Sequence, residues 1–397
     1  MPVTVGLALL ATVVLTVSAC ANLGGADPRP LSATANPTEG AAGDSVPALP
    51  TPAASPVAAP ATPIVTTPAP TPTASPSAQP TPAATAEPPP AGYAPLNGMP
   101  AEAEVALRLP LAVMIDNNLR ARPQSGFNRA SIVYQSPNDG GTDRYMFVFQ
   151  EQDAELVGPV RSTRLFFVDW AIEYRSALAH FGGDWKAVKL VAQLNGELIF
   201  DVDAMAGSSR AYWRDKKRRA PYNAYSTTAR LWAEAERRGA PAQMVAGLPV
   251  RKFAADLPAS QRPTRGSITV PYRSGTVSYA YESRSNSYLR SIAGKPHRDG
   301  LDGERVTARN VIVQYVSVYY DPNQRYNRAV MQTTGTGRAI VFRDGLAING
   351  TWRKERAADL TRFYDEAGDE ITLVRGRIFI QVVSARTKVT FEVGRTP

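Results

Sequence analysis

The sequence predicts an α+β protein, with an N-terminal α/β domain followed by a mainly antiparallel β domain, after a disordered Pro/Ala/Thr-rich linker. Three observations carry that expectation. Residues 21–95 are mostly Pro, Ala, Thr, Ser and Gly with almost no large apolar side chain, so they cannot bury enough surface to offset the entropy of ordering. From Leu111 to Arg238, short strand-like apolar runs alternate with helix-like ones. After a change of pattern between Ala246 and Arg265, the runs are strand-like and separated by turn chemistry. The expected organisation is a lipoprotein signal peptide over 1–20, a stalk over 21–95, the α/β domain over 96–250 and the β-rich domain over 260–397. A globular part of about 300 residues exceeds the usual single-domain size, which makes two domains the default.

Taken in order, the first element is the apolar run Val3 to Val17, which is short for a spanning helix of roughly 20 residues. It ends in Val17-Ser18-Ala19-Cys20. Small residues there admit a signal peptidase, and the Cys20 thiolate is the atom that takes a diacylglyceryl thioether. Cys20 is the only cysteine of 397 residues, which excludes an internal disulfide framework and a multi-cysteine metal site. Met1-Pro2-Val3-Thr4 carries no Lys or Arg, so an uncleaved signal anchor is the alternative. The stalk favours extended polyproline II at about 3.1 Å per residue, a contour on the order of 200 Å.

Buried strands are expected at Leu111 to Ile115, Ile132 to Tyr134, Tyr145 to Phe149 and Leu178 to Phe181. Helices are expected from Ser162 to Ser176, opened by Ser162 or Thr163 as cap, from Lys186 to Leu194, and from Thr227 to Arg238 with Gly239 as the stop. The C-terminal strands are expected at Val277 to Glu282, Asn310 to Tyr320, Ala329 to Thr334, Arg338 to Phe342, Ala347 to Trp352, Ile371 to Val374 and Ile378 to Val383. Asp321-Pro322-Asn323, Arg343-Asp344-Gly345 and Ala367-Gly368-Asp369 supply turns.

The chain carries a formal +9, and the net-acidic stalk leaves +12 on residues 96–397. A basic exported surface favours anionic lipid headgroups, phosphate polymers or peptidoglycan carboxylates. Nucleic acid is not an expected partner, since no recognition motif accompanies the export signal. No G-x-S-x-G, H-E-x-x-H, G-x-x-x-x-G-K or strand-linked G-x-G-x-x-G occurs, so the familiar hydrolase and nucleotide-enzyme signatures are absent. Neither a cofactor nor a metal is expected.

Polar clusters follow the strand ends instead. Ile115 leads into Asp116-Asn117-Asn118 with Arg120, Arg122 and Gln124, and Tyr134 into Asn138-Asp139-Gly140-Gly141-Thr142-Asp143-Arg144. Gly158-Pro159-Val160-Arg161-Ser162-Thr163-Arg164 precedes the long apolar helix, and His180-Phe181-Gly182-Gly183-Asp184 follows a strand. Loops leaving the carboxyl ends of strands line the crevice of open α/β sheets. Backbone N–H groups at a helix start, flanked by Arg161 and Arg164, suit a phosphate or carboxylate; an arginine pairing with Asp116 or Asp143 to fix the loops is the plainer use. His180 and His297 are the two histidines, each open to a structural role or to acid–base work with a nearby carboxylate. The basic run Trp213 to Asn223 fits either an anionic polymer or a solvated loop.

These clusters resemble the YerB-like lipoproteins, a bacterial family with paired N- and C-terminal domains of no settled function. The matching stretches are Pro110 to Asn117, Ala121 to Gly126, Ile132 to Tyr134, Gly140 to Arg144, Gly158 to Ser162 with Arg164, and His180 with its glycines. In the C-terminal half they are Tyr288 with Arg290, Gly294 to His297 with Asp299, and Asn310 to Gln314. The resemblance implies the lipoprotein class and the two-domain split, and it supplies no reaction. Where the family usually has His-Asn after a proline, this chain has Tyr222-Asn223, so a mechanism needing histidine there would fail.

The expected function is a lipid-anchored cell-envelope protein, on the outer face of the cytoplasmic membrane, binding an anionic wall or membrane component. The ligand-binding candidates are Asn117, Arg122, Arg144, Arg161, Ser162, Arg164, Asn223, Arg290, His297 and Asp299. One alternative is a hydrolase or transferase on peptidoglycan or a related glycan, with Asp116, Asp143, or His180 paired with Asp184 as acid–base groups and Arg161 stabilising negative charge. Another is an envelope assembly scaffold that docks a protein partner.

Overall fold

The computed structural model describes residues 92–323 and 327–396; the signal run, Cys20 and all but the last few stalk residues lie outside the described residues. The N-terminal region supplies Leu111–Asp116 (β1), Ile132–Pro137 (β2), Asp143–Phe149 (β3), Ala177–His180 (β4), Phe200–Asp203 (β5) and a ribbon of Trp213–Arg214 (β6) with Ala224–Tyr225 (β7). The C-terminal region adds Arg265–Val270 (β8), Val277–Glu282 (β9), Ser287–Ile292 (β10), Asn310–Val316 (β11), Val318–Asp321 (β12) and Arg328–Met331 (β13). It ends with Gly335–Arg343 (β14), Leu346–Lys354 (β15), Arg362–Asp365 (β16), Ile378–Ser384 (β17) and Thr390–Val393 (β18).

Ten of these strands make one sheet in the order β16-β15-β14-β11-β17-β2-β3-β1-β4-β5. The joint between the two sequence regions is the parallel pair β2 and β17, with Ile132 opposite Ile378 and Gln135 opposite Gln381. The change of pattern near residue 250 is therefore a change in local sequence, while the main sheet runs across it. Strand β1 shows why its run is apolar throughout: Leu111, Val113 and Ile115 enter one core, and Ala112 and Met114 the other. A strand covered on both faces has no polar face to show.

One face is covered by Leu165–Ala171 (α1) through Phe166, Phe167 and Trp170, and by Trp185–Leu194 (α2) through Ala187 and Val191. The other face meets the second sheet, ordered β10-β9-β8-β18, and Thr228–Arg237 (α3) through Leu231, Trp232 and Ala235. Thr227 caps α3 by accepting from the Arg230 N–H, and Gly239 ends it at φ 93°. The β14–β15 hairpin turns on Asp344-Gly345, both with positive φ, with Arg343 opposite Leu346.

Several elements differ from expectation. Helix α1 starts after Arg164, which caps it by backbone conformation alone, and it tightens into a 3-10 turn at Ile172–Tyr174. Ser162 and Thr163 are not its caps because the preceding chain is extended: Val160 bridges Ile115 and Thr163 bridges Gly183. The expected strand Asn310 to Tyr320 is two, broken at Ser317. Strands β5, β8, β10, β16 and β18 were not anticipated; Arg265–Val270 and Ser287–Ile292 alternate between buried and more exposed positions, and polar residues on their open faces masked the run.

Candidate functional site

Strands β1, β2, β4, β5, β11 and β17 all point the same way, so their carboxyl ends form one edge. The Gly158 to Arg164 segment lies across it. The Asp116 N–H donates to the Pro159 carbonyl (3.0 Å), Arg161 N–H to Met114 (2.9 Å), Thr163 N–H to Gly182 (3.0 Å) and Phe181 N–H to Arg161 (3.0 Å). Gly158 sits at φ 152°, where a Cβ would stand 2.6 Å from the Tyr225 ring and 2.9 Å from the Ala224 carbonyl oxygen. Only glycine fits that approach.

This lacing brings three arginines together. Arg161 Nε lies 2.6 Å from Asp116 Oδ2, and Arg164 Nε lies 2.6 Å from Asp139 Oδ2. Arg144 is buried behind them; its guanidinium donates to the Ser162 carbonyl at 2.6 Å and has no carboxylate within ion-pair distance among the described residues. Burial first, and then the neighbouring Arg164 and Arg161, push its pKa down to about 9. In front lies a cleft of about 310 Å³ lined by Arg161, Ser162, Gly182, Gly183, Met205 and Arg214, among others. Arg214 extends over the Phe181 ring, 4.7 Å from its centroid, and donates to Asn223 Oδ1 at 2.7 Å. Asn223 in turn holds the basic loop through the Asp215 and Arg218 carbonyls. With Asp116 and Asp139 spent on Arg161 and Arg164, Arg144 and Arg214 have no carboxylate at ion-pair distance among the described residues.

His180 is engaged at both ring nitrogens, Nδ1 with the Gly182 carbonyl (2.8 Å) and Nε2 with Asp201 Oδ1 (3.0 Å). Burial opposes its protonation, but Asp201 and Asp203 outweigh that and raise its pKa. Two acceptors at the two nitrogens suit an imidazolium that donates both protons. Asp203 also accepts from the Gly182 and Met205 N–H groups, so the pair shapes the cleft floor. Asp184 caps α2 through the Lys186 and Ala187 N–H groups and pairs with Arg328 at 3.0 Å.

A second set of expected site residues forms a separate, buried network. Asn117 donates to the carboxylate of Asp143 and accepts from Arg122 Nε (3.2 Å) and Gln124 Nε2 (2.9 Å). Asp143 also accepts from Gln135 Nε2 (2.6 Å) and from the Ser274 hydroxyl, and burial raises its pKa. Gln135 passes the chain on by accepting from Arg290 Nη2 at 2.6 Å. Arg290 is wholly buried among Phe127, Tyr145, Tyr279 and Phe379, each ring 5.6–5.9 Å away. It donates to the Tyr145 and Tyr279 hydroxyls and to His297 Nδ1. Burial, then Arg290, drive the His297 pKa well down, leaving a neutral ring. Asp299 accepts from the Gly126, Asn128 and Leu301 N–H groups at 2.8–2.9 Å. Arg290, His297 and Asp299 thus join the second sheet to the main one rather than lining the arginine cleft.

The structure therefore gathers Asp116, Arg144, Arg161, Ser162, Arg164, His180, Asp184 and Asn223 at the carboxyl edge, and Asn117, Arg122, Asp143, Arg290, His297 and Asp299 behind it. His180 and His297 belong to different networks, and among the described residues no group of three His, Cys, Asp or Glu could hold a metal ion. Sequence reasoning missed Asp201, Asp203, Gln135 and Ser274, and it had Arg214 only as part of the basic run Trp213 to Asn223. The alternation Phe200-Asp201-Val202-Asp203 was the one available signal, since it puts both carboxylates on one side of a strand.

Residues 96–241 match the N-terminal domain, and residues 268–380 the C-terminal domain, of a family described as a protein of unknown function (DUF3048). YerB of Bacillus subtilis, provisionally named a lipoprotein, is 29% identical over 267 residues, which cover 66% of this chain and 78% of YerB. The crystal structure of Bacillus subtilis YerB superposes with a TM-score of 0.66 at 25% identity, covering 75% of this chain and 99% of the solved one.

Proposed function

This chain belongs to the family of YerB-like proteins that pair the two DUF3048 domains, and we propose that it is an envelope protein, lipid-anchored through Cys20, whose carboxyl-edge arginines bind an anionic group of the wall or membrane. The observation that carries this reading is Arg144, which lies behind the cleft lining on the Ser162 carbonyl and acts on an anion there through its charge. A buried guanidinium with one hydrogen-bond acceptor and no carboxylate at ion-pair distance, pressed by two further arginines, is costly to keep. With its pKa at about 9 the guanidinium still holds its proton at neutral pH, and a counter-anion relieves the cost. The Ser162 and Gly183 N–H groups find no acceptor among the described residues, and both residues line the cleft. Phosphate or carboxylate oxygens have the geometry to take arginine and backbone donors together.

The test is calorimetric titration of residues 92–397 with inorganic pyrophosphate, alongside retention of the same protein on purified cell-wall material. Binding that weakens with salt and disappears in Arg144→Gln is expected. Equal affinity in that variant, or no heat and no retention with the parent, would refute the reading.

A further inference from the structure

Isolated apolar side chains on a surface need no explanation, but their clustering does. Seven of the twelve large apolar side chains left exposed among the described residues lie in segments leaving the carboxyl edge of the main sheet. Leu119 follows β1, Leu165 follows Arg164, Trp185 follows β4 and Met205 follows β5; three more lie on the β12–β13 ribbon that follows β11. Leu119, Trp185 and Met205 are 71%, 61% and 72% exposed, a large outlay of apolar surface around a site built from arginines. The parallel pairs β1–β4 and β4–β5 and the Thr163–Gly183 bridge keep the four segments side by side.

Leu119 and Trp185 each have an exposed cation beside them. Arg120 is next to Leu119 and Lys186 is next to Trp185, with Lys189 one turn on and Arg214 across the cleft. The Lys186 ammonium lies 5.6 Å from the Trp185 ring centroid. Apolar tips entering among headgroups while cations meet the phosphates is how a protein surface lies on an anionic bilayer. Trp is suited to that boundary, and Lys reaches along it. A protein partner is favoured less, because the centres of protein interfaces are depleted in Lys and contiguous in apolar area; here the tips sit on separate loops, with Lys186 beside Trp185 and Arg120 next to Leu119.

We infer that the carboxyl edge of the sheet docks onto an anionic phospholipid bilayer, with a lipid phosphate in the arginine cleft and Leu119, Leu165, Trp185 and Met205 among the headgroups. This rests on the anion-binding reading of the cleft and names its ligand. A lipid anchor on the same chain would present this edge to the bilayer at high local concentration, so modest intrinsic affinity suffices. Each cation near an anionic leaflet adds on the order of fivefold to partitioning.

The test uses residues 92–397, since a solved relative that is almost wholly this module crystallised without the remainder. The protein is sedimented with vesicles of phosphatidylglycerol mixed into phosphatidylcholine, and with pure phosphatidylcholine. Binding to the first alone is expected, roughly tenfold weaker or more in Leu119→Ser/Trp185→Ser, two positions outside the cleft lining, whose pyrophosphate affinity in solution stays that of the parent. Pyrophosphate binding without vesicle binding overturns the docking and leaves the cleft standing. Loss of both in the parent overturns the cleft as well. Undiminished vesicle binding in the double variant also overturns the docking, as does crosslinking through position 185 to another protein while vesicles are ignored.

Discussion

Replacing Arg144 with Gln should make the unliganded protein more stable while abolishing its affinity for anions. Gln keeps an amide N–H for the Ser162 carbonyl, which Arg144 now meets at 2.6 Å, and removes the charge. Holding that charge in a site that lowers its pKa from the ordinary arginine value to about 9 costs on the order of 5 kcal/mol as an upper bound. Against it stands the loss of one charge-assisted hydrogen bond, about 1.5–3 kcal/mol, together with some packing of the aliphatic stem. The balance is a gain of roughly 1–3 kcal/mol, in line with the behaviour of buried charges exchanged for neutral groups. The sign follows from linkage: a cation whose folded pKa is depressed weakens the fold wherever it stays charged, and stability rises with pH as it discharges. Urea unfolding of residues 92–397 at neutral pH reads the difference. Pyrophosphate should then stabilise the parent by about 2.7 kcal/mol at a hundred times its Kd and leave the variant unmoved. An Arg144→Gln protein that is less stable than the parent, and still stabilised by pyrophosphate, would refute the argument that this charge is kept for a ligand.

Three other outcomes are expected. Arg290→Met strands the Gln135 carbonyl oxygen and His297 Nδ1 in the interior, and should cost about 3–5 kcal/mol in urea unfolding while the surviving folded protein keeps its pyrophosphate affinity in calorimetry. His180 has a folded pKa raised above its unfolded value of about 6.5; its stabilisation is therefore complete below that value and lost as pH rises through the folded one, and a series of urea midpoints from acid to neutral pH should show this slope in the parent and not in His180→Gln. Gly158→Ala forces a Cβ against the Tyr225 ring and the Ala224 carbonyl oxygen, so thermal unfolding should show a loss of roughly 1–3 kcal/mol, and the displaced Arg161 should weaken anion binding.

The strands and helices of the first half were legible because their runs carry the period of their burial. Leu111–Asp116 is buried on both faces and reads as a continuous apolar stretch. Thr228–Arg237 shows a capping Thr227 and a stopping Gly239. The second sheet was harder, since Arg265–Val270 and Ser287–Ile292 carry Arg, Ser and Thr at intermediate or exposed positions. The start of α1 was misplaced for a different reason: Ser162 and Thr163 have the chemistry of caps, but Thr163 is held by Gly182 across the sheet edge, and tertiary pairing overrode the local preference.

The sequence by itself determined which polar residues end the strands, because strand ends are marked by where apolar alternation stops. It also marked Gly158 to Arg164 as a segment suited to an anion, since glycine, free N–H groups and flanking arginines are local properties. Which of those clusters meet was decided only by the tertiary structure. Asp143, Ser274 and Arg290 lie far apart in the chain and become one network because β2 pairs with β17 and the second sheet folds over that joint. That pairing depends on register between strands some 240 residues apart, which no local period encodes. Likewise, the sequence shows three arginines and several aspartates, and only their placement determines that Asp116 and Asp139 are taken by Arg161 and Arg164, leaving Arg144 buried with its charge unmatched.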